Sequence, residues 1–128
     1  MKIVNPVVWF EIYVEDLKRA VKFYETVFQI QLSELPSPDD ADIQMMAFPS
    51  DMESKNAASG TLVKMEGFKA GNNSTIVYFA SEDCKVEEAR IKDAGGNVFK
   101  SKQSLGEYGF MVLANDTEGN MIGIHSIQ

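Results

Sequence analysis

The chain has 128 residues, with 12 Lys and Arg against 19 Asp and Glu, and a formal net charge of −7. This length predicts one domain with one hydrophobic core. The acidic balance argues against nucleic acid and anionic membrane surfaces as partners, because both require concentrated Lys and Arg. A single cysteine, Cys84, excludes a disulfide framework and a thiolate metal cluster. Without a signal-peptide pattern or an apolar run near the ~20 residues of a membrane span, we expect a cytoplasmic protein.

The first half begins with residues that alternate between two faces. Trp9, Glu11 and Tyr13 alternate with apolar neighbours over residues 8–14, which predicts a strand. Asp16 is the expected N-cap of a helix over residues 17–28, whose apolar residues recur at three-and-four spacing. Further strands are predicted at 29–35, 43–48 and 60–66. A turn is expected at 36–40 and a polar loop at 50–59.

The second half repeats this order after a linker at residues 67–73. A strand at 75–80 leads to the N-cap Asp83 and a helix to about residue 94, which Gly95 ends. Strands follow at 97–101, 108–114 and 121–127, with a hairpin turn at 116–120. Asp83 follows Asp16 by 83 − 16 = 67 residues. We therefore predict a single α+β domain of two βαβββ modules, residues 7–66 and 74–127. The modules should form a curved mixed sheet around a concave cleft, with the helices outside.

The residue pattern also assigns the faces of the strands. Glu11 must face the cleft, because a carboxylate beneath a packed helix is costly unless it is paired. The same register turns one set of side chains toward the cleft in both modules, and these are the candidate ligand-binding residues: Trp9, Glu11, Tyr13, Ile76, Tyr78, Gly123 and His125. Aromatic side chains with a polar tip suit a planar or aliphatic ligand. Ordinary packing is the alternative for the aromatic residues, and a structural or surface role is favoured for His125.

Several segments resemble the vicinal oxygen chelate superfamily, which holds glyoxalase I, bleomycin-resistance proteins, fosfomycin-resistance enzymes and extradiol dioxygenases. The matching segments cover nearly the whole chain: residues 7–16 with Lys22-Phe23-Tyr24, residues 78–83, Ala94-Gly95-Gly96, Gly109 and residues 116–120. The resemblance implies paired βαβββ modules and a homodimer.

The resemblance also bears on metal binding. Members that bind a divalent metal take ligands from the first and last strands of each module. The corresponding positions here are Trp9, Ile76, Gly123 and the segment 60–63, which holds no acid or imidazole. These side chains do not bind Mg²⁺, Zn²⁺, Ni²⁺ or Fe²⁺. The resemblance therefore implies a member without the usual metal site and without a cofactor.

Our leading hypothesis is a metal-independent small-molecule-binding protein of the glyoxalase/bleomycin-resistance type. Trp9, Tyr13 and Tyr78 would stack on the ligand, and Glu11 would orient a donor or cation on it. A first alternative is a metal-free lyase or isomerase with Glu11 as general base and a tyrosine as hydrogen-bond donor to the oxyanion. A second is a glyoxalase- or dioxygenase-like enzyme with a displaced metal site at Glu11 and His125. A third is a protein-interaction module whose cleft is filled by its own side chains.

Overall fold

The computed structural model describes residues 2–36, 42–51, 53 and 58–128. The helices are α1 (Leu17–Phe28) and α2 (Cys84–Ile91), and the strands are β1 (Trp9–Tyr13), β2 (Ser33–Leu35), β3 (Ile43–Ala47), β4 (Ser59–Met65), β5 (Val77–Ala80), β6 (Asn97–Ser104), β7 (Phe110–Asn115) and β8 (Met121–Ser126). Most of the predicted turn at 36–40 and half of the predicted loop at 50–59 lie outside the described residues. Within the described ranges, no helix has the length and apolar character that crossing a membrane requires.

The strands form two mixed sheets with the same internal arrangement. The first sheet has the order β1-β4-β3-β2, and the second has the order β5-β8-β7-β6. In each sheet the first strand of the module runs parallel to its last strand, and the other neighbours are antiparallel. This repeat confirms the predicted α+β fold of two βαβββ modules.

Both helices begin where the sequence predicts. The side chain of Asp16 accepts a hydrogen bond from the backbone N–H of Arg19 at 3.0 Å, and Asp83 accepts one from Lys85 at the same distance. The helix α2 ends at Ile91, three residues before the predicted end, because residues 92–95 form turns. The N–H of Gly96 closes this end by donating to the carbonyl oxygen of Ile91.

One hydrophobic core joins the two modules. Ile12 and Val14 of the first module and Ile122 and Ile124 of the second are buried in it together with the apolar faces of both helices. These side chains therefore lie on the helix side of their strands. Phe79 of β5 extends into the first module, where its ring centroid lies 4.6–6.1 Å from those of four aromatic residues: Phe10, Tyr24, Phe28 and Phe48. The modules therefore bury apolar surface against each other.

The strand bounds depart from prediction at β2, β6 and β7. The described β2 is limited to Ser33–Leu35, whereas β6 continues to Ser104 and β7 begins only after a 3₁₀ turn at Gly106–Tyr108. Two register shifts interrupt the pairing of β6 with β7, one between Val98 and Lys100 and one between Lys100 and Gln103. Each shift breaks the alternation of faces, so the last part of β6 lacks the two-residue period that identifies a strand in sequence.

Candidate functional site

The hairpin turn between β7 and β8 fixes the second module to the first. Glu118 in this turn accepts hydrogen bonds from the backbone N–H groups of Glu15 and Asp16, both at 2.9 Å. Its two oxygens also accept from Nε and Nη2 of Arg19, at 2.7 and 2.9 Å, and from the Thr117 hydroxyl at 2.8 Å. Burial alone would raise the pKa of Glu118, but these donors outweigh burial and lower the pKa to about 2.

A second polar network is formed by Asp116 and Asn120 of the same turn. The buried hydroxyl of Tyr24 donates to Oδ2 of Asp116 at 2.7 Å, and burial next to this carboxylate raises the pKa of Tyr24 well above its ordinary value. Asn120 donates to the carbonyl oxygen of Tyr13 at 2.9 Å and accepts from the N–H of Gly71 at 2.7 Å. These contacts set the edge of β1 against the second module, where two cavities open.

The larger cavity, which we call the junction cavity, has a volume of about 740 Å³ and is lined by both modules. The first module supplies the aromatic residues Trp9, Phe10, Phe28 and Phe48. The strand β5 and the residue before it supply Ile76, Tyr78, Phe79 and Ala80, and α2 supplies Glu87. The structure therefore brings three of the predicted ligand-binding residues, Trp9, Ile76 and Tyr78, to one cavity. Its size and apolar lining are typical of sites for small organic molecules.

The smaller cavity, which we call the linker cavity, has a volume of about 480 Å³. Glu11 and Tyr13 line it together with residues of the linker and of the start of β8, among them Lys69, Asn73 and Met121. Two more of the predicted residues thus lie at the module boundary, but on an adjoining and more polar cavity. The sequence predicts Glu11 and Tyr78 in one cleft, and in the structure they line two adjoining cavities that share Phe10, Thr75 and Val77.

Glu11 is held by its neighbours on the same face of β1. The indole N–H of Trp9 donates to Oε2 of Glu11 at 3.3 Å, and the hydroxyl of Tyr13 donates to Oε1 at 2.9 Å. Burial and this hydrogen bond to Glu11 raise the pKa of Tyr13. The Tyr13 ring also stacks on Phe68 of the linker, with ring centroids 5.3 Å apart. In this arrangement the Tyr13 hydroxyl donates its hydrogen bond to Glu11. The roles of a tyrosine as donor to an oxyanion and of Glu11 as general base stay predictions.

Gly123 and His125 lie on the cleft side of β8 without lining either cavity. A Cβ atom on Gly123 would lie 2.4 Å from the ring of Tyr78, so the glycine makes room for that ring on the neighbouring strand. A ring nitrogen of His125, Nε2, lies 2.6 Å from the carbonyl oxygen of Tyr108. Gly123 therefore acts on the junction cavity through Tyr78, and His125 is engaged with the 3₁₀ turn.

The residues at the module boundary do not fit the divalent metal of the superfamily. Among the described residues, no three or more His, Cys, Asp or Glu side chains gather as a metal site would require. Trp9, Ile76 and Gly123, which the resemblance implies at the ligand positions of metal-binding members, have side chains without a ligand atom. The displaced site at Glu11 and His125 stays a prediction, with Glu11 on the linker cavity and His125 bound to Tyr108.

Several lining residues were missed by the analysis of the sequence. Phe28, Phe48 and Phe79 match the pattern of core residues, and they do pack in the core while their edges line the junction cavity. Glu87 matches the acidic residues that stabilise a helix N-terminus. No feature of the sequence distinguishes these residues from ordinary core or surface positions, because their exposure depends on how the two modules pack.

Comparisons with known proteins agree with the fold. A family model described as bleomycin resistance protein-like N-terminal matches residues 7–45. No curated protein matches the chain. Glyoxalase I from Zea mays is a structural neighbour at 20% identity and a TM-score of 0.73, with coverage of 93% of this chain and 43% of that one.

Two further neighbours match over nearly their full length. TnmS3, an antibiotic binding protein from Streptomyces sp. CB03234, is 19% identical with a TM-score of 0.67, and 98% of each chain is covered. A glyoxylase/bleomycin resistance protein/dioxygenase domain from Frankia sp. EAN1pec is 16% identical with a TM-score of 0.69, and covers 97% of this chain and 98% of its own. At these identities the likeness shows the fold. The predicted resemblance is thus confirmed at the level of the fold: the chain has the fold of the vicinal oxygen chelate superfamily, and its residues 7–45 match the bleomycin resistance protein-like N-terminal model.

Proposed function

We propose that the protein binds a small, largely apolar organic molecule in the junction cavity, without a metal ion. The observation that carries this proposal is the cavity itself, about 740 Å³ in volume and lined mainly by aromatic and aliphatic side chains of both modules. Drug-sized ligands occupy cavities of roughly 300–1,000 Å³ with this kind of lining. The structural neighbour TnmS3 is an antibiotic binding protein, which supports a small organic molecule as ligand.

The aromatic residues of the cavity suit a planar ligand. Trp9 and Tyr78 are 44% and 46% exposed, so each presents part of its ring to the cavity instead of burying it in the core. Such a ring gains contact area and favourable ring–ring geometry when a flat molecule enters. Phe48 and Phe79 form the inner wall, with ring centroids 5.5 Å apart. A planar aromatic molecule would contact aromatic groups of both modules at once.

The chain carries its own reporter for this binding. Trp9 is the single tryptophan and lines the junction cavity. The neutral probe phenylnaphthylamine becomes fluorescent in apolar sites and accepts excitation energy from tryptophan. We expect saturable energy transfer from Trp9 to one probe molecule per chain. Trp9→Phe should abolish the transfer and keep the direct fluorescence of the bound probe, since Phe preserves an aromatic wall.

A pair of matched substitutions locates the site. Ala80 lines the junction cavity, and Ala89 is exposed on α2 and does not line it. Ala80→Phe should fill part of the cavity and weaken probe binding at least about tenfold, whereas Ala89→Phe should leave it unchanged. Equal binding by both variants would place the ligand elsewhere and overturn the proposal. Circular dichroism of both variants checks that each is folded.

Metal independence is tested by the same titration in the presence of EDTA. We expect the same dissociation constant with and without the chelator, because the residues that replace the metal ligands offer no donor atoms. Loss of probe binding in EDTA, restored by one equivalent of a divalent metal, would contradict this part of the proposal.

We also propose that the protein is a homodimer. An apolar stretch at the start of the chain supports this: Ile3, Val4, Val7 and Val8 are all more than 60% exposed. Contiguous exposed apolar surface marks interaction sites on soluble proteins. Light scattering should give twice the chain mass, and Val8→Lys should reduce it, whereas Val86→Lys on α2 should not. A monomer at all concentrations would refute the dimer.

A further inference from the structure

We propose that Glu87 selects the charge of the ligand in the junction cavity, so that the preferred ligand is a planar apolar molecule carrying an ammonium or similar cationic group. This inference rests on the proposed function and adds the chemical class of the ligand. Among the described residues that line this cavity, Glu87 is the one that carries a charge. Its neighbours there are aromatic, aliphatic or hydroxyl-bearing.

The position of the Glu87 carboxylate is fixed by its surroundings. Glu87 lies in the first turn of α2 and is partly buried. The hydroxyl of Ser81 donates to its Oε1 atom and accepts a hydrogen bond from the N–H of Asp83 at 3.1 Å. The Ser81 proton is therefore directed to Glu87. The other oxygen, Oε2, has no hydrogen-bond partner in the described part of the chain, and it is free to accept a hydrogen bond from a ligand.

The apolar wall makes the charge of Glu87 selective. A carboxylate beside aromatic side chains loses hydration when a ligand covers it, and a cationic donor on the ligand compensates for this loss. An anionic ligand would face repulsion, and none of the described lining residues supplies a compensating Lys or Arg. Trp9 and Tyr78 also line the cavity, and a cation placed over an aromatic ring gains further attraction. The same cavity therefore favours cationic over neutral ligands and neutral over anionic ones.

The test uses three probes with one ring system and three charges: naphthylmethylammonium, naphthalenemethanol and naphthoate. Each displaces phenylnaphthylamine from the protein at neutral pH. We expect the ammonium probe to bind about tenfold more tightly than the alcohol, with naphthoate the weakest. Glu87→Gln keeps the shape and the acceptor for Ser81 but removes the charge, and it should reduce the preference for the ammonium probe to near unity.

Glu82→Gln is the matched control. Glu82 is exposed, immediately precedes the N-cap of the same helix and does not line the junction cavity. This variant loses the same charge from the whole protein, so it should keep the tenfold preference. An equal preference in wild type and Glu87→Gln, or equal binding of the ammonium and alcohol probes by wild type, would overturn the inference while leaving the proposed function standing. Failure of phenylnaphthylamine to bind wild type at all would overturn both.

Discussion

The contact of Glu118 with the first module gives a prediction whose size follows from the structure. The difference between an ordinary glutamate pKa of 4.5 and the pKa of about 2 in the folded protein corresponds to roughly 3 kcal/mol of stability. We reduce this to about 2 kcal/mol, because the Arg19 side chain is 52% exposed and solvent screens its charge. Glu118→Gln should therefore lower the free energy of unfolding by about 2 kcal/mol near neutral pH, since the amide places an NH₂ group against donors.

The pH dependence distinguishes this charge effect from a simple loss of packing. The pKa of Glu118 is lower in the folded than in the unfolded chain, so its contribution is complete above about pH 4.5 and is lost as the pH falls toward about 2. In urea unfolding, the difference between wild type and Glu118→Gln should shrink by more than half between about pH 6 and about pH 3. Exposed Glu66 supplies the control, since Glu66→Gln should change stability by under about 0.5 kcal/mol at both pH values. A difference for Glu118→Gln that is constant with pH would refute the reasoning.

Four further substitutions test three individual sites. Tyr24→Phe removes the 2.7 Å hydrogen bond to buried Asp116 and should cost about 1–3 kcal/mol in urea unfolding; a neutral effect would show that the carboxylate finds another donor. Gly123→Ala places a Cβ atom 2.4 Å from the Tyr78 ring and should weaken probe binding and stability, and Tyr78→Ala in the same chain should recover the stability. Thr61→Val should stabilise the protein by about 1 kcal/mol, because the Thr61 hydroxyl is fully buried without a described partner; a destabilised variant would indicate one.

Most of the fold follows from patterns that are local in sequence. Asp16 and Asp83 mark the helix starts because an N-cap needs only its own side chain and the next backbone N–H groups. The faces of β1 follow from one charged residue, Glu11, among apolar neighbours. The extent of β6 did not follow, because its register shifts are determined by pairing with β7 rather than by its own residues.

The candidate site is predictable only in part, for a related reason. Trp9, Ile76 and Tyr78 were identified from strand alternation alone, and they line one cavity. The separation of Glu11 and Tyr13 into the linker cavity depends on how the modules meet. The packing of the modules is determined by long-range contacts such as those of Glu118 with the backbone of Glu15 and Asp16. In the sequence, Glu118 is recognisable only as part of a hairpin turn. Hydrogen bonds between residues that are 99 to 103 positions apart produce no periodic pattern in the sequence.

The position of Phe79 has a consequence for any attempt to dissect the chain. This ring belongs to the second half of the sequence, yet the four rings around it belong to the first. A fragment ending in the linker would leave those rings in water, and the complementary fragment would display Phe79 on its surface. Severing the backbone near residue 70 should therefore yield two pieces that are insoluble apart and regain structure when mixed. A gene encoding one half alone would not yield a smaller version of this protein, because each half buries its aromatic rings against the other.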